Sequence, residues 1–161
     1  MDEPSPIPEE FHSVETGAPF AHCIDCGEDL TRVFSYAVQK VIRRGETVFE
    51  FALCEACRER LMQGFSEDTR QRLQEHFETH LAADHGPRRC ALTGIPRDEC
   101  DEFELGGQFS GTHLLFAIMI SETAREKLQE LISDQTRGHW DEFVGRHFPG
   151  VSDDQPAPMI L

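Results

Sequence analysis

The sequence has few basic residues and no long hydrophobic run, and each shortage removes a class of function. Lys and Arg together number 15 against 30 Asp and Glu, a formal net charge of −15 at pH 7. Sequence-independent binding to nucleic acid or to anionic lipid requires clustered basic side chains, so the composition argues against both. No apolar run approaches the roughly 20 residues of a membrane-spanning helix, so we expect no membrane association.

The N-terminal region also lacks the apolar core of a signal peptide. The segment MDEPSPIPEEFHSVETGAP is acidic, whereas a secretory signal joins a basic start to an apolar core. We therefore expect a cytoplasmic protein whose six cysteines stay reduced or bind metal. With 161 residues, the chain has room for one domain or two small ones.

The most informative feature that is present is an internal repeat with a spacing of 67 residues. Between residues 23–81 and 90–148, 12 of the 59 ungapped pairs are identical, where ordinary composition gives roughly three or four by chance. The clearest matches are CEACRERL (54–61) with SETAREKL (121–128) and FSEDTR (65–70) with ISDQTR (132–137). A repeat of this kind predicts two copies of one structural unit.

The repeat and the composition together predict the organisation of the chain. Both ends are short of apolar residues, and the N-terminal end is acidic and rich in proline, so they should not bury enough surface to become ordered. The predicted segments are a disordered acidic tail (1–21), a first unit (22–81), a linker (82–88), a second unit (89–148) and a flexible C-terminal tail (149–161).

Each unit has the same predicted local structure, which makes the fold class α+β. A Cys-x-x-Cys-Gly or Cys-x-x-Thr-Gly turn is followed by a β-hairpin, whose strands in the first unit surround Arg43–Gly45. A first helix then begins at Cys54 or Ser121. A second helix begins near Ser66 or Ser133, each of which is a suitable N-cap followed by acidic residues.

Two cysteine pairs in the first unit predict a metal site. Cys23 and Cys26 form one Cys-x-x-Cys motif and Cys54 and Cys57 form another. Zinc takes four soft ligands in a tetrahedron, and each such turn presents two sulfurs to one ion. The second pair opens a helix, whose free N–H groups stabilise thiolates. We therefore expect one structural Zn²⁺ on these four cysteines.

This arrangement of knuckle, hairpin and ligand-bearing helix resembles a treble-clef zinc finger. FALCEACRERL is similar to the second knuckle and helix of the small four-cysteine zinc domains of an AAA+ protease unfoldase and of a protein-arginine kinase activator. The resemblance covers residues 23–61 and implies a module that binds partners or dimerises without doing chemistry. The layout of one metal-binding and one metal-free copy resembles bacterial proteins to which no activity is assigned.

The second unit has lost the metal-binding pattern. Its four equivalent positions are Cys90, Thr93, Ser121 and Ala124, so one thiol of four remains. Ser121 can cap the helix through its hydroxyl group in place of a metal bond. The strand LLFAIMI (114–120) is apolar on both faces, which predicts that hydrophobic burial has replaced the metal.

Other candidate residues have a chemical and a structural interpretation. Cys90 and Cys100 could form a redox pair, or a second metal site with His85 or His113, but Cys is often a small buried hydrophobic residue. His80 and His147 recur at one position, which favours a structural hydrogen bond over a catalytic pair. The acidic run (Asp98, Glu99, Asp101, Glu102) could bind a cation or a basic partner, and the arginines (Arg43, Arg44, Arg70, Arg72) could contact a phosphate, but both groups are more typical of solvated surface.

No catalytic motif supports an enzyme. The sequence has no glycine-rich phosphate loop, nucleophile elbow or Ser/His/Asp pattern. A treble-clef nuclease would place histidines on its hairpin and helix, and residues 23–75 contain none. We therefore expect a non-catalytic interaction or regulatory adaptor that binds a protein partner or forms a homodimer, and no nucleic acid, membrane or small-molecule substrate. The alternative is a zinc-linked thiol redox switch, in which Cys90 or Cys100 resolves a disulfide.

Overall fold

Within the described residues, four strands and four α-helices form one α+β body around an antiparallel sheet. The computed structural model describes residues 7–83 and 85–150. The strands are β1 (Tyr36–Arg43), β2 (Glu46–Cys54), β3 (Glu102–Ser110) and β4 (His113–Ser121). They lie in the order β2-β1-β3-β4, so β2 and β4 are the two edges of the sheet.

The helices follow each hairpin as the sequence predicts. They are α1 (Glu55–Gln63), α2 (Glu67–His80), α3 (Glu122–Glu130) and α4 (Asp134–His147). The predicted starts are confirmed: the N-cap positions are Cys54, Ser66, Ser121 and Ser133. Each of the three serines accepts a hydrogen bond from the backbone N–H three residues later, which is the bond that makes serine a good N-cap.

The spacing of 67 residues recurs in the geometry of the backbone. The bounds of β2, α1 and α2 coincide with those of β4, α3 and α4 after this shift. Each hairpin has one register shift, between Val41 and Ile42 in the first and between Gln108 and Phe109 in the second, which are again equivalent positions. The two segments therefore fold through the same local interactions.

An approximate twofold axis relates the two segments within the sheet. Strands β1 and β3 pair antiparallel, and Gln39 is paired with Gly106, its own counterpart. On the helical layer, Ser66 Oγ lies 2.8 Å from the Oγ of its counterpart Ser133. The sheet is consequently continuous across both segments, and the predicted units 22–81 and 89–148 share their central strand pair.

One face of the sheet is covered by residues 7–20, which corrects the predicted tail. Phe11 is fully buried and Ile7 is nearly so, and the Phe11 ring packs edge-on against Phe109 with centroids 5.2 Å apart. The Nζ of buried Lys40 donates to the His12 carbonyl oxygen. The acidic composition suggested disorder, but two apolar anchors suffice because the sheet offers them a matching apolar face. Residues 1–6 lie outside the described residues.

The opposite face is covered by the helices, and α4 crosses onto the hairpin of the first segment. Phe143 packs against Phe51 with ring centroids 5.7 Å apart. Phe148 follows α4, and its ring centroid lies 4.4 Å from that of Phe49. The helix that ends the second segment therefore completes the hydrophobic core of the first.

The predicted burial of LLFAIMI is correct only for its second half. Residues Ala117 to Ile120 are buried, whereas Leu114, Leu115 and Phe116 are 36%, 54% and 40% exposed. These three residues lie in the first half of β4, next to the β3–β4 turn. None of the helices within the described ranges is long and apolar enough to cross a membrane.

Candidate metal centre

The first cysteine pair lies in a tight turn that is fastened to strand β2. The Gly27 N–H donates to the Cys23 carbonyl oxygen at 2.9 Å, and Gly27 has a positive φ of 77°, which glycine adopts without steric cost. The Ile24 N–H donates to the Ala52 carbonyl oxygen at 2.9 Å. This bond holds the turn beside the end of β2, where the second cysteine pair begins.

The four predicted ligands converge on one point. The sulfur atoms of Cys23, Cys26, Cys54 and Cys57 all lie within 4.8 Å of one another, and the Cys26 and Cys54 sulfurs are 3.8 Å apart. Four sulfurs bonded at about 2.3 Å to a tetrahedral ion lie about 3.8 Å from each other. The cluster therefore fits a metal ion, and its all-thiolate donor set is one that zinc commonly takes.

Hydrogen-bond donors reach two of the sulfurs and support the ionised form of Cys23. The N–H groups of Asp25 and Cys54 each lie 3.4 Å from the Cys23 sulfur, and Arg60 Nη2 donates to the Cys57 sulfur at 2.9 Å. Burial acts to raise the pKa of Cys23, but these backbone donors lower it. Burial raises the pKa of Cys54 and Cys57, so a bound cation must displace their protons.

Three of the four sulfur-bearing residues are buried, and helix α4 closes over the turn. Cys26 is the exposed member of the cluster. His147 Nε2 lies 2.7 Å from Asp25 Oδ1, and Arg146 Nη2 donates to the same oxygen at 3.3 Å. Burial acts to raise the pKa of Asp25, but His147 and Arg146 lower it. The second segment thus contributes two side chains around the first segment's cysteine turn.

The structural role predicted for His147 is supported by this contact, whereas His80 has a different neighbour. Position 25 is Asp in the first segment, but its counterpart is Leu92, which offers no carboxylate. His80 instead lies against His76, with ring centroids 4.5 Å apart. Sequence reasoning missed Asp25 and Arg60; the one available signal was their position beside cysteines that were already assigned.

In the second segment, hydrogen bonds occupy the place of the cysteine cluster. The Ser121 N–H lies 3.3 Å from the sulfur of fully buried Cys90, which repeats the contact between Cys54 and Cys23. The Ser121 hydroxyl accepts from the Ala124 N–H at 3.2 Å. Burial acts to raise the pKa of Cys90, but the hydrogen bonds of Ser121 and Thr93 lower it.

No second metal group forms among residues 7–83 and 85–150, because the other candidates do not converge there. The Cys100 sulfur donates to the Pro96 carbonyl oxygen at 3.7 Å. His85 Nδ1 lies 2.9 Å from the Ala82 carbonyl oxygen, and His113 is exposed at the start of β4. In the acidic run, Glu102 is not solvated as predicted: it is buried and forms ion pairs with Arg43 and Arg125.

Comparisons with protein-family models, with curated proteins and with solved structures find no match to this chain.

Proposed function

We propose that this protein is a non-catalytic zinc-binding adaptor, built as a tandem duplication of a treble-clef-like unit. The equivalent element bounds and the twofold relation between the segments support the duplication. The four-thiolate cluster supports one structural zinc ion on Cys23, Cys26, Cys54 and Cys57. Four protein ligands leave no open coordination position for a substrate or a reactive water, which favours a structural role over catalysis.

The observation that carries the adaptor function is an exposed apolar surface on edge strand β4. Leu114, Leu115 and Phe116 form this surface. Phe34 is 82% exposed and lies at the same end of the β3–β4 hairpin, because its carbonyl oxygen accepts from Ser110 Oγ. An uncovered apolar edge strand can pair with a strand of a protein partner or of a second copy.

The counterparts of this surface in the first segment are covered. Phe49, the counterpart of Phe116, is 4% exposed because Phe148 packs on its ring. The neighbouring Glu50 accepts hydrogen bonds from Ser13 Oγ and the Val14 N–H. Among the residues that the structure describes, the fold therefore covers this part of β2 and leaves the first half of β4 exposed, as an interaction surface requires.

The adaptor function is tested by substituting the open edge. We expect affinity capture and crosslinking with the wild-type chain to recover a stoichiometric partner or a homodimer. Leu114→Lys/Leu115→Lys should abolish that complex, because two charges cannot be buried unpaired in an interface. Val14→Lys is the matched control, since Val14 is 62% exposed and lies beside β2. Repeated capture of a bare monomer, or equal loss in the control, would contradict the adaptor function.

The alternative function is a thiol redox switch, which one feature of the cluster favours. Cys26 is exposed, and its sulfur lies 3.8 Å from that of Cys54, so an oxidant could reach one member of a close pair. Mild peroxide with a zinc-release dye separates the two functions. Zinc released at peroxide levels that oxidise known sensors favours the switch, whereas a site that stays inert excludes it.

A further inference from the structure

A cavity lies between the β1–β2 turn and the loop that precedes β3. Its volume is about 510 Å³, within the range of small-molecule sites. Ile42 and Phe103 supply apolar surface, and Arg88, Arg89, Arg97 and Asp98 supply charge. None of these residues belongs to the cysteine cluster or to the β4 edge.

Arginine is concentrated at this cavity in a chain whose acidic residues outnumber its basic ones two to one. Arg97 is held in place by an ion pair with Glu10 at 2.6 Å, and its guanidinium lies 5.1 Å from the centre of the Phe103 ring. Arg88 is exposed, and it forms no ion pair with any residue in the described ranges. The Arg97 guanidinium is therefore fixed in the wall of the cavity, and the Arg88 guanidinium is available to a ligand.

The first segment shows that the fold does not require these arginines. The counterparts of Arg88, Arg89 and Arg97 are Ala21, His22 and Leu30, and Leu30 is buried. The turn is nevertheless the same in both segments. The Cys23 N–H donates to the Glu28 carbonyl oxygen at 3.0 Å, and the Cys90 N–H donates to the Ile95 carbonyl oxygen at 2.9 Å. The turn backbone therefore forms without arginine. In the second segment Arg89 and Arg97 also donate to the Gly94 and Pro87 carbonyl oxygens, so Arg88 is the arginine of this group whose presence the fold does not explain.

We propose that this cavity binds a small organic phosphate. Guanidinium groups form paired, charge-assisted hydrogen bonds to phosphate oxygens. A site with more than one guanidinium suits a phosphate dianion better than it suits a singly charged carboxylate. Ile42 and Phe103 provide a surface for the organic part of the ligand. Asp98 can accept a hydrogen bond from a hydroxyl or amino group of that part. The site goes beyond the adaptor function and does not depend on it.

The test is a titration of the zinc-loaded full chain with phenyl phosphate, followed by calorimetry and by NMR shifts of the cavity residues. We expect saturable binding at one site. Inorganic phosphate and benzoate should both bind more weakly, because the first lacks the organic group and the second lacks the phosphate group. Arg88→Gln/Arg89→Gln should weaken binding at least about tenfold, because each charged hydrogen bond contributes a factor of that order. Arg70→Gln/Arg72→Gln makes the same charge change on α2 and should leave the affinity unchanged.

Three results would overturn the phosphate site: no saturation by phenyl phosphate, benzoate binding as tightly, or equal weakening by the α2 variant. Arg88→Gln alone provides a check against misfolding, since Arg88 is exposed. Its zinc content and melting temperature should equal those of the wild type while its affinity falls. These readouts are independent of partner capture, so failure of the phosphate site is distinguishable from failure of the adaptor function.

Discussion

Phe11 is the most deeply buried side chain of residues 7–20, a segment whose composition predicts disorder. Its ring fits where β3 has a glycine: a Cβ atom on Gly107 would lie 2.8 Å from the Phe11 ring. The stacked rings of Tyr36 and Phe109 complete the contact. Burial of this aromatic ring offsets part of the conformational entropy that residues 7–20 lose on ordering.

We expect Phe11→Ala to destabilise the protein by about 3–5 kcal/mol, as a fully buried aromatic truncation does. The free energy of unfolding from urea titration measures the effect. Val14→Ala is the matched control on the same segment, because Val14 is 62% exposed and should change stability by less than about 0.5 kcal/mol. If the two variants lose the same small amount, the segment does not contribute to the core in solution.

Among the elements, α2 and α4 begin at a shared network on the twofold axis. The Ser66 N–H donates to Thr136 Oγ1 and the Ser133 N–H donates to Thr69 Oγ1, both at 2.8 Å. The two serine hydroxyls also lie 2.8 Å apart. Each helix is therefore capped by its own serine and joined to the start of the other helix.

We expect Ser133→Ala to cost about 1–3 kcal/mol, because it removes the cap of α4 and also the bond to Ser66. A double-mutant cycle with Ser66→Ala should show coupling, since the two hydroxyls contact each other. Gln74→Ala, on the exposed surface of α2, serves as the control. Strict additivity of the two serine substitutions would show that the bond between them does not contribute.

For the whole molecule, the sheet that the two segments share couples the stability of the second segment to the cysteine cluster of the first. Strands β1 and β3 pair along eight residues, and α4 packs across the first hairpin. A metal ion bound to the four cysteines would therefore stabilise a core that the second segment also forms.

We expect one zinc per chain, and its removal by a chelator should lower the melting temperature of the entire protein in one transition. The single Trp, Trp140, reports on the second segment, and its ring lies 6.5 Å from that of Phe65. Cys54→Ser should reproduce the loss of zinc, whereas Cys90→Ser should retain it. Two metals per chain, or an unchanged Trp140 signal after zinc loss, would contradict this coupling.

The local features of the fold could be predicted from sequence because their causes are local. The serine caps at Ser66, Ser121 and Ser133, the hairpins and the four cysteines all depend on residue types a few positions apart. The prediction failed where burial decided the outcome. Composition predicted a disordered N-terminal region and a buried strand β4, but Phe11 is buried and Leu115 is exposed.

The sequence by itself determined the 67-residue repeat, the helix starts and the two cysteine pairs that form the four-cysteine cluster. Only the tertiary structure decided how the units combine: β1 pairs with β3, α4 crosses to the first hairpin, and His147 reaches Asp25. It also decided that Phe116 is exposed while its counterpart Phe49 is buried, and it placed the arginines of the loop before β3 beside the β1–β2 turn. These contacts join residues far apart in the chain, and their free energy depends on surfaces that exist only once both units have folded.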